Sequence, residues 1–122
     1  MSDPWPTELK VSQDRHLLSV TFDDGAQYKI PAEVMRVLSP SAEVQGHGPG
    51  QKVTVPGKSN VAIRNMVAAG NYAVRVVFDD GHDSGIFTWK YLLELGRDGD
   101  KLFAAYEAEL AEKGLSREPR RR

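Results

Sequence analysis

Short runs of alternating apolar and polar residues recur along the chain, and each run breaks at aspartate, glycine or proline. Thr7 to Val11 alternates, and Leu18, Val20 and Phe22 share one side of a second strand. Asp23-Asp24-Gly25 then reads as a turn. A three-residue loop pairs Phe22 with Ala26, Val20 with Tyr28 and Leu18 with Ile30, so every apolar residue falls on one face. A two-residue loop pairs Phe22 with Gln27 and puts Tyr28 and Ile30 on the wrong side. The pattern therefore predicts a type I turn closed by Gly25 in the left-handed region, where a Cβ is costly.

Pro31 suits the first turn of a helix, and Val34, Val37 and Leu38 recur at helical spacing until Pro40 forbids continuation. A short helix of about two turns is expected there. The stretch from Ser39 to Asn60 has glycines at 46, 48, 50 and 57 and prolines at 40, 49 and 56, which predicts a loop with a brief strand over Lys52 to Val55. Loops of this length within compact domains often carry function. Val61 to Met66 alternates, with Val61, Ile63 and Asn65 on one face and Arg64 on the other. Gly70-Asn71 marks a turn, and Tyr72 to Phe78 completes a hairpin. Asp79-Asp80-Gly81 repeats the turn chemistry, and residues 84 to 88 return as a strand. A helix over Trp89 to Leu95 follows, capped by Thr88 and ended by Gly96. A last helix is expected from about Asp100 to Lys113, with Leu102, Phe103, Tyr106 and Leu110 on the stripe that docks on the sheet and Gly114 as its stop.

The two V-x-F-D-D-G stretches start at Val20 and Val76, 56 positions apart. Each precedes a short strand and a helix, the pattern of a duplicated unit; two copies are also what convergence on a favourable turn produces. The predicted class is α+β: a small, mainly antiparallel sheet of two strand-turn-strand-helix units plus a C-terminal helix. Residues 1–116 form one domain, and residues 117–122 are expected as a basic flexible tail.

Composition narrows the function. A chain of 122 residues with 40% apolar and 27% charged residues is ordinary for one globular domain. No apolar run approaches the roughly 20 residues that span a bilayer, and Met1 to Lys10 lacks the regions of a signal peptide, so a cytoplasmic protein with no membrane partner is expected. The absence of cysteine excludes disulfides, thiolate metal ligands and thiol nucleophiles. Net charge is -1, but Arg117, Arg120, Arg121 and Arg122 against Glu118 give the tail +3. The remaining 12 basic and 16 acidic residues leave the body at -4. Such a tail can touch phosphates or an acidic partner, or be merely a solvated terminus.

Candidate chemistry is sparse. His82 falls opposite Phe78, on the face of Val76 and Ile86, which suits either a packed histidine or a ligand clustered with Asp80 and Asp83 around a divalent metal. Asp83 points the other way in that register. His47 lies in Gly46-His47-Gly48-Pro49-Gly50, a loop that matches neither the phosphate-loop nor the dinucleotide fingerprint and reads as a surface loop. Ser39, Ser41 and Ser84 lack a nucleophile elbow. The aspartates of each Asp-Asp-Gly stabilise turns through backbone hydrogen bonds, which gives Asp24, Gly25, Asp80 and Gly81 structural roles. Trp89 and Tyr91 read as core anchors. Basic residues do not interleave with aromatics as nucleic-acid binding requires. No catalytic constellation emerges, and no enzyme activity is expected.

Several strings recur together in one known family. They are Phe22-x-Asp24-Gly25, Leu38-Ser39-Pro40-Ser41-Ala42-Glu43-Val44, Gly46-His47-Gly48, Gly70-Asn71-Tyr72-Ala73, and Phe78 to Ile86 before Trp89. Over about residues 7 to 96 the chain resembles the gamma-butyrobetaine hydroxylase-like N-terminal domain family, a domain of unknown function. Proteins of this kind occur as small stand-alone bacterial proteins, as the N-terminal module of carnitine-synthesis dioxygenases, and attached to P-loop iron–sulfur scaffold proteins. The resemblance implies an accessory module near iron enzymes. In the hydroxylases a C-P-C-x-x-C segment and a histidine hold zinc; the matching positions here are Ser39, Ser41 and Val44, with His82 retained. The resemblance thus implies a dismantled zinc site, and no dioxygenase domain or iron triad accompanies it.

The expected function is a non-catalytic interaction module with a protein partner, linked to iron-enzyme or iron–sulfur maturation. Its expected surface comprises Arg36, Ser39, Ser41, Glu43, Gly46, His47, Gly48, Gly50, Asp80 and Asp83. The alternative is a weak zinc- or iron-binding protein using His82 and His47.

Overall fold

A computed structural model describes residues 4–45 and 53–119. Three strands, β1 (Pro6–Val11), β2 (Leu17–Phe22) and β3 (Gln27–Pro31), form an antiparallel sheet in sequence order. Helix α1 (Ala32–Val37) follows directly, and a single turn, α2 (Ala42–Gln45), lies within the stretch expected as loop. Strands β4 (Ile63–Ala69), β5 (Ala73–Phe78) and β6 (Gly85–Thr88) form a second antiparallel sheet, and α3 (Trp89–Glu112) closes the chain. The expected single sheet is thus two sheets of three strands, each followed by a helix. Strands β2 and β5 are offset by 56 residues, the spacing of the repeated motif. Among the described residues no helix is long and apolar enough to cross a membrane.

The turns form as the pattern predicts. Val20 pairs with Tyr28 and Leu18 with Ile30, while the Phe22 N–H donates to the Ala26 carbonyl at 2.8 Å. Gly25 and Gly81 take φ +90° and +92°, conformations that suit a residue without Cβ. The four aspartates divide their work identically in the two hairpins. The first of each pair accepts from the residue just ahead of the sheet's outer strand, Asp23 from the Trp5 N–H at 3.1 Å and Asp79 from the Ala62 N–H at 3.0 Å. The second closes its own turn, Asp24 on the Ala26 N–H and Asp80 on the His82 N–H, both at 3.0 Å.

The two halves share one core. Leu18, Val20, Phe22 and Ile30 from the first sheet meet Ile63, Val76, Phe78 and Phe87 from the second, with Met35 and Leu92 supplied by the helices, and each is nearly fully buried. Burying a side chain of this size contributes about 1.5–3 kcal/mol. Arg15 clasps the halves together. Its carbonyl accepts from the Ile63 N–H at 2.8 Å, and its guanidinium donates to the Ile63 and Arg64 carbonyls, both at 3.2 Å. It does so at φ 65°, a conformation uncommon for a residue with a side chain.

Four local expectations are corrected. Ile86 does not share the face of His82 and Val76: the Phe78 N–H meets the His82 carbonyl across the turn, but β6 then pairs Gly85 with Val76 and Ile86 with Arg75, which leaves Ile86 exposed and brings Phe87 to the core. Gly96 does not stop a helix, because α3 runs unbroken through it for 24 residues. A Cβ on Gly96 would lie 2.5 Å from Cγ of Tyr28, so this glycine lets β3 approach the helix, offsetting the roughly 1 kcal/mol that glycine costs inside a helix. Asn65 does not share a face with Ile63, because the pairing with β5 shifts between Ile63 and Asn65 and leaves Asn65 exposed. Residues 53 to 55 are not a strand, although the Val53 N–H donates to the Val44 carbonyl at 2.7 Å; Lys52 lies outside the described residues.

Candidate functional site

The second Asp-Asp-Gly hairpin carries His82 inward against the segment that follows α1. His82 is 6% exposed and its ring centroid lies 6.0 Å from that of Phe78. Nε2 meets the hydroxyl of Ser39 at 3.0 Å and that of Ser41 at 3.3 Å. Both serines are buried, and the Ser41 N–H donates to Ser39 Oγ at 3.4 Å. Val44, one helical turn on, is also buried. The three side chains satisfy buried polar groups that would otherwise be costly to desolvate.

Several contacts hold this segment in place. The Tyr91 hydroxyl donates to the Leu38 carbonyl, and the Gln45 side-chain amide donates to the Ser39 carbonyl at 2.9 Å. Burial, reinforced by the charge of Glu94, pushes the Tyr91 phenol up to about 12, so its proton stays available for that bond. Tyr91 and Trp89 both pack on the core, as anchors should. Thr88 caps α3 as the sequence predicts, its hydroxyl accepting from the Tyr91 N–H at 3.1 Å.

Outside the buried trio, two cations converge on one carboxylate. Arg36 Nε and Lys58 Nζ each lie 2.7 Å from Asp80 Oδ2, whose side chain is 18% exposed. Burial alone would raise the Asp80 carboxyl. The Lys58 ammonium, the His82 N–H and the Arg36 guanidinium outweigh it and hold the group down at about 2. Arg36 Nη1 is buried without a hydrogen-bond partner among the described residues. Asp83 is exposed and pairs loosely with Arg75 at 3.8 Å.

The expected surface therefore splits. Asp83 is exposed at the hairpin end and Arg36 and Asp80 pair through largely buried side chains, while Ser39 and Ser41 lie inside the fold with their hydroxyls on His82. Gly46, His47, Gly48 and Gly50 lie outside the described residues, as does the side chain of Glu43. Lys58 was not foreseen: it is separated from Asp80 by 22 positions in a glycine- and proline-rich stretch with no periodicity to place it. Arg117 was expected to begin the solvated tail; instead it packs against Glu33 and Phe103.

The site does not fit zinc. Around His82 stand two hydroxyls, of Ser39 and Ser41, and the alkyl side chain of Val44 where a zinc site needs thiolate or imidazole donors, and Nε2 of His82 is already engaged by both serines. Among the described residues no group of three or more histidine, aspartate or glutamate side chains is placed to hold a metal.

Residues 9–93 match the family described as gamma-butyrobetaine hydroxylase-like, N-terminal. Two structures determined in solution by NMR are similar over nearly the whole chain. One is 45% identical with a TM-score of 0.83, covering 99% of this chain and 95% of its own. The other is 44% identical with a TM-score of 0.83, covering 97% and 88%. A crystal structure of a protein of unknown function in the DUF971 family, from Acidithiobacillus ferrooxidans ATCC 23270, is 35% identical with a TM-score of 0.64, over 78% of this chain and 98% of that one. No curated protein matches the chain. With a family match that spans both hairpins and the buried trio between them, this chain belongs to the gamma-butyrobetaine hydroxylase-like N-terminal domain family.

Proposed function

We propose that this chain is a non-catalytic interaction module that serves the maturation of iron enzymes or iron–sulfur proteins. The supporting observation is the burial of its reactive groups. Ser39, Ser41 and His82 are 0%, 6% and 6% exposed and bond to one another, so they support the fold and do not reach a substrate. Between them and the surface lie the largely buried charged side chains of Arg36, Lys58 and Asp80, with the exposed Asp83 at the hairpin end. The iron connection rests on the settings in which the family's modules occur, beside iron dioxygenases and iron–sulfur scaffolds. The proposed binding face is the outer surface of the segments 39 to 50 and 79 to 85, with Ser39, Ser41 and His82 buried beneath it.

The test is affinity purification of the tagged chain from its source cell, followed by identification of co-purifying proteins. A defined iron-enzyme or iron–sulfur partner should be enriched, and changing Arg36, Glu43 or His47 to alanine should weaken that enrichment while the far-ultraviolet circular dichroism stays native. Enrichment that survives all three changes would refute this face as the contact.

A further inference from the structure

Glu33, in the first turn of α1, is 8% exposed, a burial that carboxylates tolerate when paired. Its partner comes from the far end of the chain. Arg117 donates from Nε to Oε2 at 2.8 Å and from Nη2 to Oε1 at 2.7 Å, a two-pronged contact, while its guanidinium carbon sits 5.1 Å from the centroid of Phe103. Two backbone bonds hold the chain beside it. The Gly57 N–H donates to the Ser116 carbonyl at 2.8 Å and the Ser59 N–H to the Arg117 carbonyl at 3.0 Å. Gly114, at φ +68°, turns the chain back from the end of α3 to make these contacts.

A fork on a carboxylate, a ring under the guanidinium and a pair of backbone bonds together recognise an arginine within a short peptide segment. A cavity of about 500 Å³ continues from this contact. Its charged lining is Lys29, Arg97 and Arg117 against Glu33, Asp100 and Glu107, which is balanced; without Arg117 it carries one net negative charge. The emptied groove would attract a cation.

We propose that Glu33, Phe103 and residues 57–59 form an arginine-reading docking groove, filled in cis by residues 115–119, and that a short arginine-bearing segment of a protein partner binds by displacing them. The chemistry of the guest is read from the segment that sits there. A tethered occupant acts at an effective concentration on the order of millimolar, so it weakens a competing segment in proportion and keeps the groove closed until a tighter one arrives.

The test uses the full chain, native and Arg117→Ala, with a synthetic peptide of residues 114–119 as probe. Amide exchange should show Gly57 and Ser59 losing protection in the variant while β2 and β5 keep theirs. The variant should bind the peptide at least about tenfold more tightly than the native chain, and a peptide with alanine in place of its arginine should bind neither. Equal affinity for both chains, no binding to the variant, or unchanged protection at Gly57 and Ser59 would overturn the proposal. Should the variant lose protection throughout, titration of the native chain with millimolar peptide decides: Gly57 and Ser59 resonances must shift, and their failure to do so is equally fatal.

Discussion

Gly85 lacks a side chain where Ser39 needs the space: a Cβ there would lie 2.4 Å from Ser39 Oγ and 3.1 Å from Cε1 of Phe87. Ser39 cannot retreat without leaving His82. Gly85→Ala should therefore destabilise the domain by about 1–3 kcal/mol in urea unfolding, and adding Ser39→Ala should recover part of the loss, since the two β-carbons would then be in ordinary contact. An additive double variant would show that the serine is not what crowds the site.

The convergence of Ser39 and Ser41 on one imidazole nitrogen makes a gain of function accessible. Replacing Ser39, Ser41 and Val44 together by cysteine should create a chain that takes up one zinc ion, measured by elemental analysis, with His82 as the fourth ligand. A further His82→Ala change should weaken the uptake. Failure of the triple variant to hold zinc while folded would mean that these positions do not superimpose on the zinc site of the hydroxylases.

Acid should loosen the hairpin end. The Asp80 carboxyl is held at about 2, below its ordinary 3.8, so the charged form is favoured by the fold. That stability is fully present above about pH 4 and is lost as pH falls toward 2. It amounts to about 1–2 kcal/mol once solvent screening is allowed for. Asp80→Asn should remove this part of the acid dependence in denaturant titrations between pH 2 and 5, and an unchanged slope would count against the Arg36 and Lys58 contacts.

Base should act through two tyrosines. Burial, with a smaller push from Glu33, raises the Tyr106 phenol to about 12, and burial with Glu94 does the same for Tyr91. Their hydroxyls donate to the carbonyls of Val55 and Leu38. The unfolded chain ionises them near their ordinary value of 10, so this stability is intact below pH 10 and declines as pH rises to 12, by about 2 kcal/mol for each group. Tyr91→Phe and Tyr106→Phe should each flatten the alkaline branch of the stability profile.

Gly96→Ala tests the close approach of α3 to β3. On helix propensity alone the change should stabilise by about 1 kcal/mol. The contact with Tyr28 reverses the sign, and thermal unfolding should show a loss of about 1–3 kcal/mol. Gly99→Ala, with nothing within 4 Å of the added carbon, serves as the control and should follow propensity.

The hairpins were legible because their information is local: alternation, a three-residue turn and glycine at positive φ fix register within a dozen residues, and Leu18, Val20 and Phe22 could face the core in only one pairing. The placement of His82 beside Phe78 followed from the same register, but the one-residue slip after it, which pairs Ile86 with Arg75 and exposes it, did not. What could not be read depends on contacts between distant segments. Gly96 looks like a helix stop until Tyr28 is seen against it, and Lys58 is an anonymous loop residue until it meets Asp80. Arg117 belongs to a charged tail by composition, and only the fold reveals a buried Glu33 waiting for it. Ser39 and Ser41 belong to the expected surface through the glycine-rich loop that follows them, whereas a buried imidazole supplies the hydrogen bonds that let them go inside.

The length of α3 has a bearing on how the domain holds together. At 24 residues it is about 36 Å long, and it packs on β3, on β6 and on α1. Neither half-repeat can come away without stripping that helix from the other, so the two copies, whatever their ancestry, should melt in a single cooperative transition. The helix is the spine that two small β units share.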